Sequence, residues 1–569
     1  MSAHSQLRAN VQAARAHGRY SAVVIGGGIN GIATFRDLAL QGMDVLLVER
    51  GDFASGASAA SSHMIHGGIR YLENGEFRLV KESVQERNGL LKTAPHYVKP
   101  LQTTIPIYST FSGILGAPLR FLLHGSRKPA ERGAVLIKLG LVIYDTFSRG
   151  GGMVPRHRFH ARKRSLELLP RLDHEVKYTA TYYDASMHDP ERLALDVLQD
   201  GLGANPRAQA INYVEAIGLS DGAVHLLDHE SGERFSVIAD VVVNASGPWT
   251  DLTNAALGNQ TQFMGGTKGS HIVLDHPELL AATGGREIFF EHSDGRIVLI
   301  YPLKGRVLVG TTDIPADPRQ PARCTEAEVD YFFDLIAHVF PTIAVDRSQI
   351  VYRFAGIRPL PRAGDTAPGF ISRDYRIEHR QNAAIDPPVL SLVGGKWTTF
   401  RALGEALANR AMKELGWARR TSTKGLRIGG GKGYPQTPRR RRAWLAEHLS
   451  DDARGRILFE RYGTGAIEVH RYLNEGADAA LIGDTLSTRE LSWMVEREQV
   501  RHVEDVVLRR TSLAFTGDAT PEVVTKIAQA LAPLLGWDSV RTEQEIDRCL
   551  ALLHEAHGVE PTQLLPNSF

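Results

Sequence analysis

Apolar residues run together through Tyr20–Ile25 (YSAVVI), recur at helical spacing through Ile29–Gln41, and run together again at Asp44–Val48 (DVLLV). Short apolar runs bounded by turn residues mark buried strands, and the intervening pattern marks a helix, so the chain opens with a β–α–β unit. A long polar, glycine-containing stretch follows, Gly51–Arg70. Loops of that length inside a compact domain commonly carry function. Helical spacing returns over Gly75–Leu91, with Phe77, Val80, Val84 and Leu91 on one face, and residues 100–165 mix Arg, Lys and aromatic side chains. Asp240–Val243 reads as a short buried strand running into NASGPW. From about 266 to 350, the β-rich runs HIVLD, EIFF, RIVLIYPL and RVLVGTTD alternate with turns. That rhythm predicts an antiparallel layer beside the first unit. Leu390–Val393 leads into GGKWTTF and a helix over Arg401–Leu415. Gly429–Pro438 (GGGKGYPQTP) has linker composition, and the remainder is mostly helical, without an internal repeat. The run Arg439–Arg442 reads as a solvated helix start.

At 569 residues, the chain exceeds one compact core and implies two or three domains. The formal charge of +2 argues against nucleic acid as a partner, which would select a strongly basic face. Two distant cysteines, Cys324 and Cys549, supply neither a disulfide framework nor a thiolate metal site, which makes a reducing compartment the default. The first twenty residues lack the apolar core of a signal peptide. No stretch reaches the roughly 18 apolar residues of a spanning helix. No His/Asp/Glu cluster has ligand spacing, so no catalytic metal is expected.

Gly26-Gly27-Gly28-Ile29-Asn30-Gly31 satisfies GxGxxG between the first strand and the first helix. Gly26 permits the tight turn, Gly28 lets backbone approach a pyrophosphate, and Gly31 lets the helix pack on the sheet. Amides at the helix start face the phosphates. Glu49 ends the second strand, where ribose hydroxyls need an acceptor and a 2′-phosphate would be repelled. The fingerprint alone does not separate FAD from NAD. Its place at the start of a long chain, and the lack of a second copy, favour FAD.

The stretch from Ser58, SAASSHMIHGGIRYLENGEFRLVKESVQER, resembles the flavin-dependent glycerol-3-phosphate dehydrogenases, whose counterpart commonly reads SSxSSKLIHGGxRYLE. Six further motifs follow in order: NASGPW (Asn244–Trp249), KGSH (Lys268–His271), GTTD (Gly310–Asp313), GIRPL (Gly356–Leu360), SRDY (Ser372–Tyr375) and GGKWTT (Gly394–Thr399). VRHVEDVVLRRT (Val500–Thr511) is similar to the family's C-terminal helical domain. The resemblance spans roughly residues 20–530. It departs at His63, where many members carry lysine, so that any cationic role there becomes pH-dependent. No EF-hand pattern occurs, so calcium regulation is not implied.

The resemblance implies an α/β fold. It comprises an FAD-binding Rossmann-like domain of the D-amino-acid-oxidase type, an antiparallel-sheet substrate domain and a C-terminal helical domain. The expected boundaries are 20–95, 166–265 and 351–415 for the discontinuous FAD-binding domain, 96–165 and 266–350 for the substrate-binding cap, and 430–569 for the helical domain. The implied reaction is oxidation of sn-glycerol 3-phosphate to dihydroxyacetone phosphate, by hydride transfer from C2 to N5 of non-covalent FAD, with a membrane quinone as acceptor. The alternatives are an oxygen-using glycerol-3-phosphate oxidase and another FAD-dependent amine or 2-hydroxy-acid oxidase.

A doubly charged phosphate calls for fixed cations, and Arg70, Arg358, Arg373 and Lys396 lie in the matching motifs; the planar fork of arginine suits phosphate oxygens. His271 is the first candidate for the base that takes the C2 hydroxyl proton, with His66 as competitor. Tyr71, Thr311 and Thr312 are candidates to bond substrate oxygens. For the cofactor, the matching motifs imply Gly26, Gly28, Ile29, Asn30, Gly31, Glu49, Ser58, Ser61, Ser62, His66, Gly67, Ala245, Gly247, Gly395, Lys396, Thr398 and Thr399. Amides of the GGKWTT turn would stabilise negative charge near flavin N1 and O2. Ile114–Leu141 mixes apolar residues with Arg120, Arg127, Lys128, Arg132 and Lys138, a composition suited to an anionic membrane surface. The expected location is cytoplasmic, peripheral on the inner face of the cell membrane. A homodimer is compatible with the C-terminal helices, whose pattern does not decide it.

Overall fold

The computed structural model describes residues 8–68, 77–109, 134–148, 154–291, 297–362 and 374–559. Strand Arg19–Ile25 pairs in parallel with Val45–Val48 on one side and Arg234–Asn244 on the other. Parallel neighbours Gln209–Ile211 and Val389–Val393 extend this sheet, and Arg376–Arg380 closes one edge antiparallel. Helices cover one face, and the ribbon Val214–Ser220/Ala223–Asp228 with helix Ala9–His17 covers the other, so its strands are apolar on both faces, as the continuous runs anticipated. Helix Ile29–Leu40 packs on it between Pro190–Ala204 and Phe400–Glu414, and nearly every side chain of this helix is buried.

The second sheet runs in the order 314–315, 264–274, 306–310, 297–303, 287–291, 98–107, 178–187, 64–65, with Ile350–Pro361 also lying along Met264–Leu274. The pairing is antiparallel except where Glu287 and Ile288 meet Thr103 and Thr104 in parallel. Helix Glu326–Val339 closes its core: Phe332, Leu335 and Ile336 meet Ile272, Ile300 and Val309. This is the antiparallel layer expected from the β-rich runs. It recruits more chain than they indicated, because Tyr178–Met187 and most of Ile350–Pro361 fall within intervals assigned by sequence to the nucleotide part. Their ladders run to Val98–Ile107 and Met264–Leu274 instead.

C-terminal helices, from Pro438–His448 to Ser539–His557, gather round a separate core that includes Leu458, Val469, Leu491, Met494, Val503 and Ile527. The glycine-rich approach to them is not a slack linker. Gly429–Gly431 forms a 3-10 turn whose amides donate to Asp200 and Asp196, and a Cβ on Gly430 would overlap the Tyr462 carbonyl. Glycine serves close approach here, not flexibility. Among the described residues no helix is long and apolar enough to cross a membrane.

One buried acid makes the second sheet pH-sensitive. Glu287 is fully buried; one carboxyl oxygen accepts from Thr103 Oγ1 at 2.7 Å, and the other has no partner among the described residues. Burial pushes its pKa from 4.5 up to about 8, opposed by the Thr103 bond and reinforced by Asp184. Below pH 4.5 both folded and unfolded chains keep the proton, and above about 8 both have lost it. Between those values only the unfolded chain releases it, so stability falls as pH rises. Glu287→Gln should therefore raise Tm by a margin that grows across this window, reaching at least about 2 °C at its alkaline end. Thermal melts showing a pH-independent difference would contradict a neutral buried carboxyl.

Candidate functional site

The nucleotide end is built by close backbone contact. Gly26 has φ of 110°, and a Cβ there would lie 2.7 Å from the Ala245 carbonyl oxygen; one on Gly31 would overlap the Gly26 carbonyl. Gly28 is the N-cap of helix Ile29–Leu40 and gives its amides no side-chain cap, while Ser58 Oγ accepts from Ile29 N at 3.0 Å. Glu49 reaches back to the glycine turn, accepting from Gly27 N at 2.7 Å and from Gly51 N at 2.9 Å. Burial pushes its carboxyl up, and these two amides oppose that.

Three distant segments converge on this helix start. Gly247, in the left-handed region at φ 62°, opens the turn after Ala245. Gly395, at φ 110°, lies so close to Asn30 that a Cβ would stand 2.8 Å from its Nδ2. Asn30 Oδ1 is shielded from solvent and has no hydrogen-bond partner among the described residues. A shielded acceptor, uncapped helix amides and glycines where side chains would collide fit a dinucleotide carrying a flavin. Trp397 Nε1 donates to the Ser58 carbonyl at 3.0 Å and Thr398 Oγ1 to the His66 carbonyl at 3.3 Å, tying the GGKWTT turn to the Ser58–Gly67 loop; Thr399 is buried at the head of Phe400–Glu414. Gly67 N donates to Asp184 Oδ1 at 2.8 Å, within a buried cluster with Arg87 and Tyr144.

At the other end, three motifs meet on adjacent strands. His271, on Met264–Leu274, is paired in register with Phe354 and with Gly310. Its ring stacks on Phe354 at 4.8 Å, and its Nε2 lies 2.8 Å from Ser62 Oγ. Only 2% of His271 is exposed, and its Nδ1 has no partner among the described residues. Burial, then the charge of Arg358, then His63, hold its pKa well below the ordinary value, so the imidazole is neutral. Arg358 donates to Asp313 Oδ1 at 2.8 Å, Thr311 Oγ1 at 3.0 Å and the Thr312 carbonyl at 2.9 Å, which fixes the plane of its guanidinium. The glycine of KGSH makes room for it: a Cβ on Gly269 would overlap that guanidinium and stand 2.9 Å from Thr311 Oγ1.

Some expected residues are engaged elsewhere. The Thr312 hydroxyl donates to Glu328 Oε1 at 2.7 Å and accepts from Ser270 N at 3.0 Å, so it is committed to the framework. Lys396 Nζ donates to Ser83 Oγ at 2.6 Å, and Ser61 Oγ accepts from His63 N at 3.3 Å. His63 itself is buried, and burial pushes its pKa down to about 4, so the position often held by lysine carries no charge near neutral pH. Arg70, Tyr71 and Arg373 lie outside the described residues, as do Arg120, Arg127, Lys128 and Arg132.

Sequence reasoning missed the buried carboxylate behind this end. Glu328 accepts from Lys268 Nζ (2.7 Å), Ser270 Oγ (2.8 Å), Thr312 Oγ1 (2.7 Å) and Thr325 N (2.8 Å), binding KGSH and GTTD to one helix. The only advance signal was a capping-box pattern at Thr325 and Glu328. It also missed the gathering of His502, Glu504 and Glu545, all buried, far from the glycine turn in sequence. Burial lowers the pKa of His502, but the Glu230 and Glu545 carboxylates outweigh it and hold it at about 10. Positive charge in that cluster thus comes from a proton on His502, with Arg541 on Glu545 and Arg548 on Glu504.

Residues 21–410 match the family model of FAD dependent oxidoreductases, and residues 421–542 that of the C-terminal domain of alpha-glycerophosphate oxidase. A glycerol-3-phosphate dehydrogenase of Synechocystis is 32% identical over 567 residues, covering 94% of this chain and 96% of that one. The D-erythritol 1-phosphate dehydrogenase of Brucella abortus is 31% identical, covering 86% and 93%. Among solved structures, the glycerol-3-phosphate dehydrogenase from Bacillus halodurans complexed with FAD shares the fold at a TM-score of 0.72 and 22% identity, covering 97% of this chain and 98% of that one. With its cofactor fold, its C-terminal domain and these full-length relatives in agreement, the chain belongs to the family of FAD-dependent glycerol-3-phosphate dehydrogenases and oxidases.

Proposed function

We propose that this protein oxidises sn-glycerol 3-phosphate at C2 to dihydroxyacetone phosphate and hands the electrons to a membrane quinone. The observation that carries the reading is the convergence of Arg358 and His271 on neighbouring strands with Thr311, just past the end of a third, where the charge of Arg358 adds to burial in depressing the imidazole pKa. Bound FAD supplies the hydride acceptor at N5. Arg358 binds the phosphate, its plane set by Asp313 and the Thr312 carbonyl, and the motifs that carry Arg70 and Arg373 assign them to the same phosphate. Thr311, a neighbour of Arg358, holds a substrate oxygen. His271 is neutral and therefore able to accept the C2 hydroxyl proton, with Ser62 orienting its ring. Glu49 would accept from the adenosine ribose, and the GGKWTT amides would stabilise negative charge on the reduced flavin.

Contact with an anionic membrane surface has support on helix Ala134–Ser148. Val135 and Val142, seven residues apart on one face, are 48% and 47% exposed, and Lys138 is exposed beside them. Replacing both valines by serine should weaken co-sedimentation with anionic vesicles; unchanged partitioning would remove this face from the reading.

Glycerol 3-phosphate added without air should bleach the yellow holoenzyme within the mixing time of a cuvette, and a quinone analogue should restore the colour. Persistent colour would sink the reaction, whereas restoration by oxygen alone, with peroxide formed, would favour an oxidase. D-erythritol 1-phosphate belongs in the same assay, because a relative of comparable identity is named for it.

Arg358→Ala should raise KM for glycerol 3-phosphate by about a hundredfold, the scale of a lost charge-assisted contact, while FAD stays bound. In the parent enzyme, protonation of His271 should cost no activity as pH falls from 8 to 6.5, because its pKa lies below that range. A kcat/KM limb centred at the ordinary histidine pKa and abolished by His271→Asn would show that the depression is absent in solution.

A further inference from the structure

Between Glu49 and the glycine turn the chain makes a tight loop whose backbone is fixed at both ends. Gly51 N donates to Glu49 Oε1, and Ala54 N donates to the Gly27 carbonyl at 2.9 Å. Asp52 sits between these contacts with its carboxylate 1% exposed, so any displacement of Asp52 moves both. Asn212 Nδ2 donates to Asp52 Oδ1 at 3.0 Å, and the charged partners of Asp52 come from far along the chain. Arg510 donates to both its oxygens, at 2.6 and 2.9 Å, and Arg509 Nε to Oδ2 at 2.5 Å. Both arginines end VRHVEDVVLRRT, in the segment matched as the C-terminal domain.

The arginines are themselves locked. Arg509 pairs with Asp505 at 2.5 Å, Arg510 donates to the Glu498 carbonyl at 2.7 Å, and Glu498 takes Arg192 of the first domain at 2.6 Å. Beside this network lies a polar cavity of about 90 Å³, lined by Ser55, His63, Arg509 and Ser512 among others. Buried ion pairs join the two parts there, alongside apolar contacts such as Phe515 against Phe354. Burial pushes the Asp52 carboxyl up, but Arg510 and Arg509 overcome it and hold it well below the usual carboxylate range.

We propose that the C-terminal helical domain retains FAD through a latch, in which Arg509 and Arg510 grip Asp52 and thereby hold the Glu49–Ala54 turn in its ribose-binding shape. The inference rests on the reading of Glu49 as the ribose acceptor. Asp52, Arg509 and Arg510 act through Glu49 and are positioning residues. Removing one partner of a buried pair strands the other charge, whereas neutralising both leaves none stranded. That difference separates a latch from general stability.

The test strips FAD from the full-length enzyme, titrates it back by flavin fluorescence and records Tm for each variant. Arg510→Met should weaken FAD binding by about tenfold or more and lower Tm. In the double variant D52N/R510M, Tm should recover while FAD binding stays weak, since no charge is stranded but the turn has lost the two-bond grip of Arg510. Glu490→Gln is the control: Glu490 is paired with Arg454 and Arg461 inside the C-terminal domain, so its loss should lower Tm with FAD affinity unchanged. Parent-like FAD affinity in R510M, recovery of affinity together with Tm in the double variant, or equal weakening in E490Q would each overturn the latch. Glu49→Gln is titrated alongside. Weak binding in E49Q but not R510M overturns the latch alone, and parent-like binding in E49Q overturns the ribose reading and the latch with it.

Discussion

The turn between strand Arg19–Ile25 and helix Ile29–Leu40 has no room for side chains, and the cofactor end of the protein is arranged around that lack of room. That helix can start where it does only because Gly26 lies against the Ala245 carbonyl and Gly31 lies against Gly26. A helix start carries amides without intrahelical partners, and burying them uncompensated is unfavourable. Here Ser58 supplies one acceptor and Glu49 turns to the adjacent Gly27 amide, while the Ala245 and Gly395 turns close the sides. Four segments spread over most of the chain are thereby drawn to one point. An anionic dinucleotide completes the hydrogen bonding that the protein alone leaves short.

Each end of the site is backed by a carboxylate that never faces it. Glu328 gathers Lys268, Ser270, Thr312 and Thr325, so the strands bearing His271 and the Arg358 contacts share one anchor. Asp52 gathers Arg509 and Arg510 behind Glu49. Buried ion pairs contribute little net stability, because desolvation offsets attraction. Their value here is geometric: a carboxylate accepting four directed bonds tolerates one arrangement of its donors, whereas apolar packing tolerates many.

Legibility in the sequence follows the range of the interactions. The opening β–α–β unit is readable because its apolar run, glycine spacing and terminal acid are local, and the second-sheet strands because alternation is local too. The helix expected at Arg401–Leu415 runs over Phe400–Glu414. Tyr178–Met187 was not readable: its threonines, serine and aspartate suggest exposure, yet they bond across strands and into the Arg87 cluster in the interior. Gly429–Gly431 reads as slack chain for the same reason, since composition does not report what a glycine touches. Glu328 is an ordinary acid of an amphipathic helix until the register of two strands sets Ser270 and Thr312 above it. Phe354 is an ordinary strand residue until it pairs with His271. Asp313 stood inside a recognised motif, and its attachment to Arg358 was within reach of charge pairing alone.

The electrostatics of the substrate end make the two proposed roles interdependent. Burial, reinforced by the adjacent guanidinium, keeps the imidazole neutral, which permits it to accept a proton but makes it a weak base. In the proposed roles, a phosphate dianion on Arg358 would offset that positive field, and the imidazolium formed on proton transfer would be favoured accordingly. Base strength would then come in part from the headgroup that Arg358 binds. A polyol without phosphate would meet the same histidine in its weak form and lose affinity and proton transfer together. Selectivity for the phosphate ester is then expressed in the chemical step as well as in binding, without a residue dedicated to excluding the unphosphorylated compound.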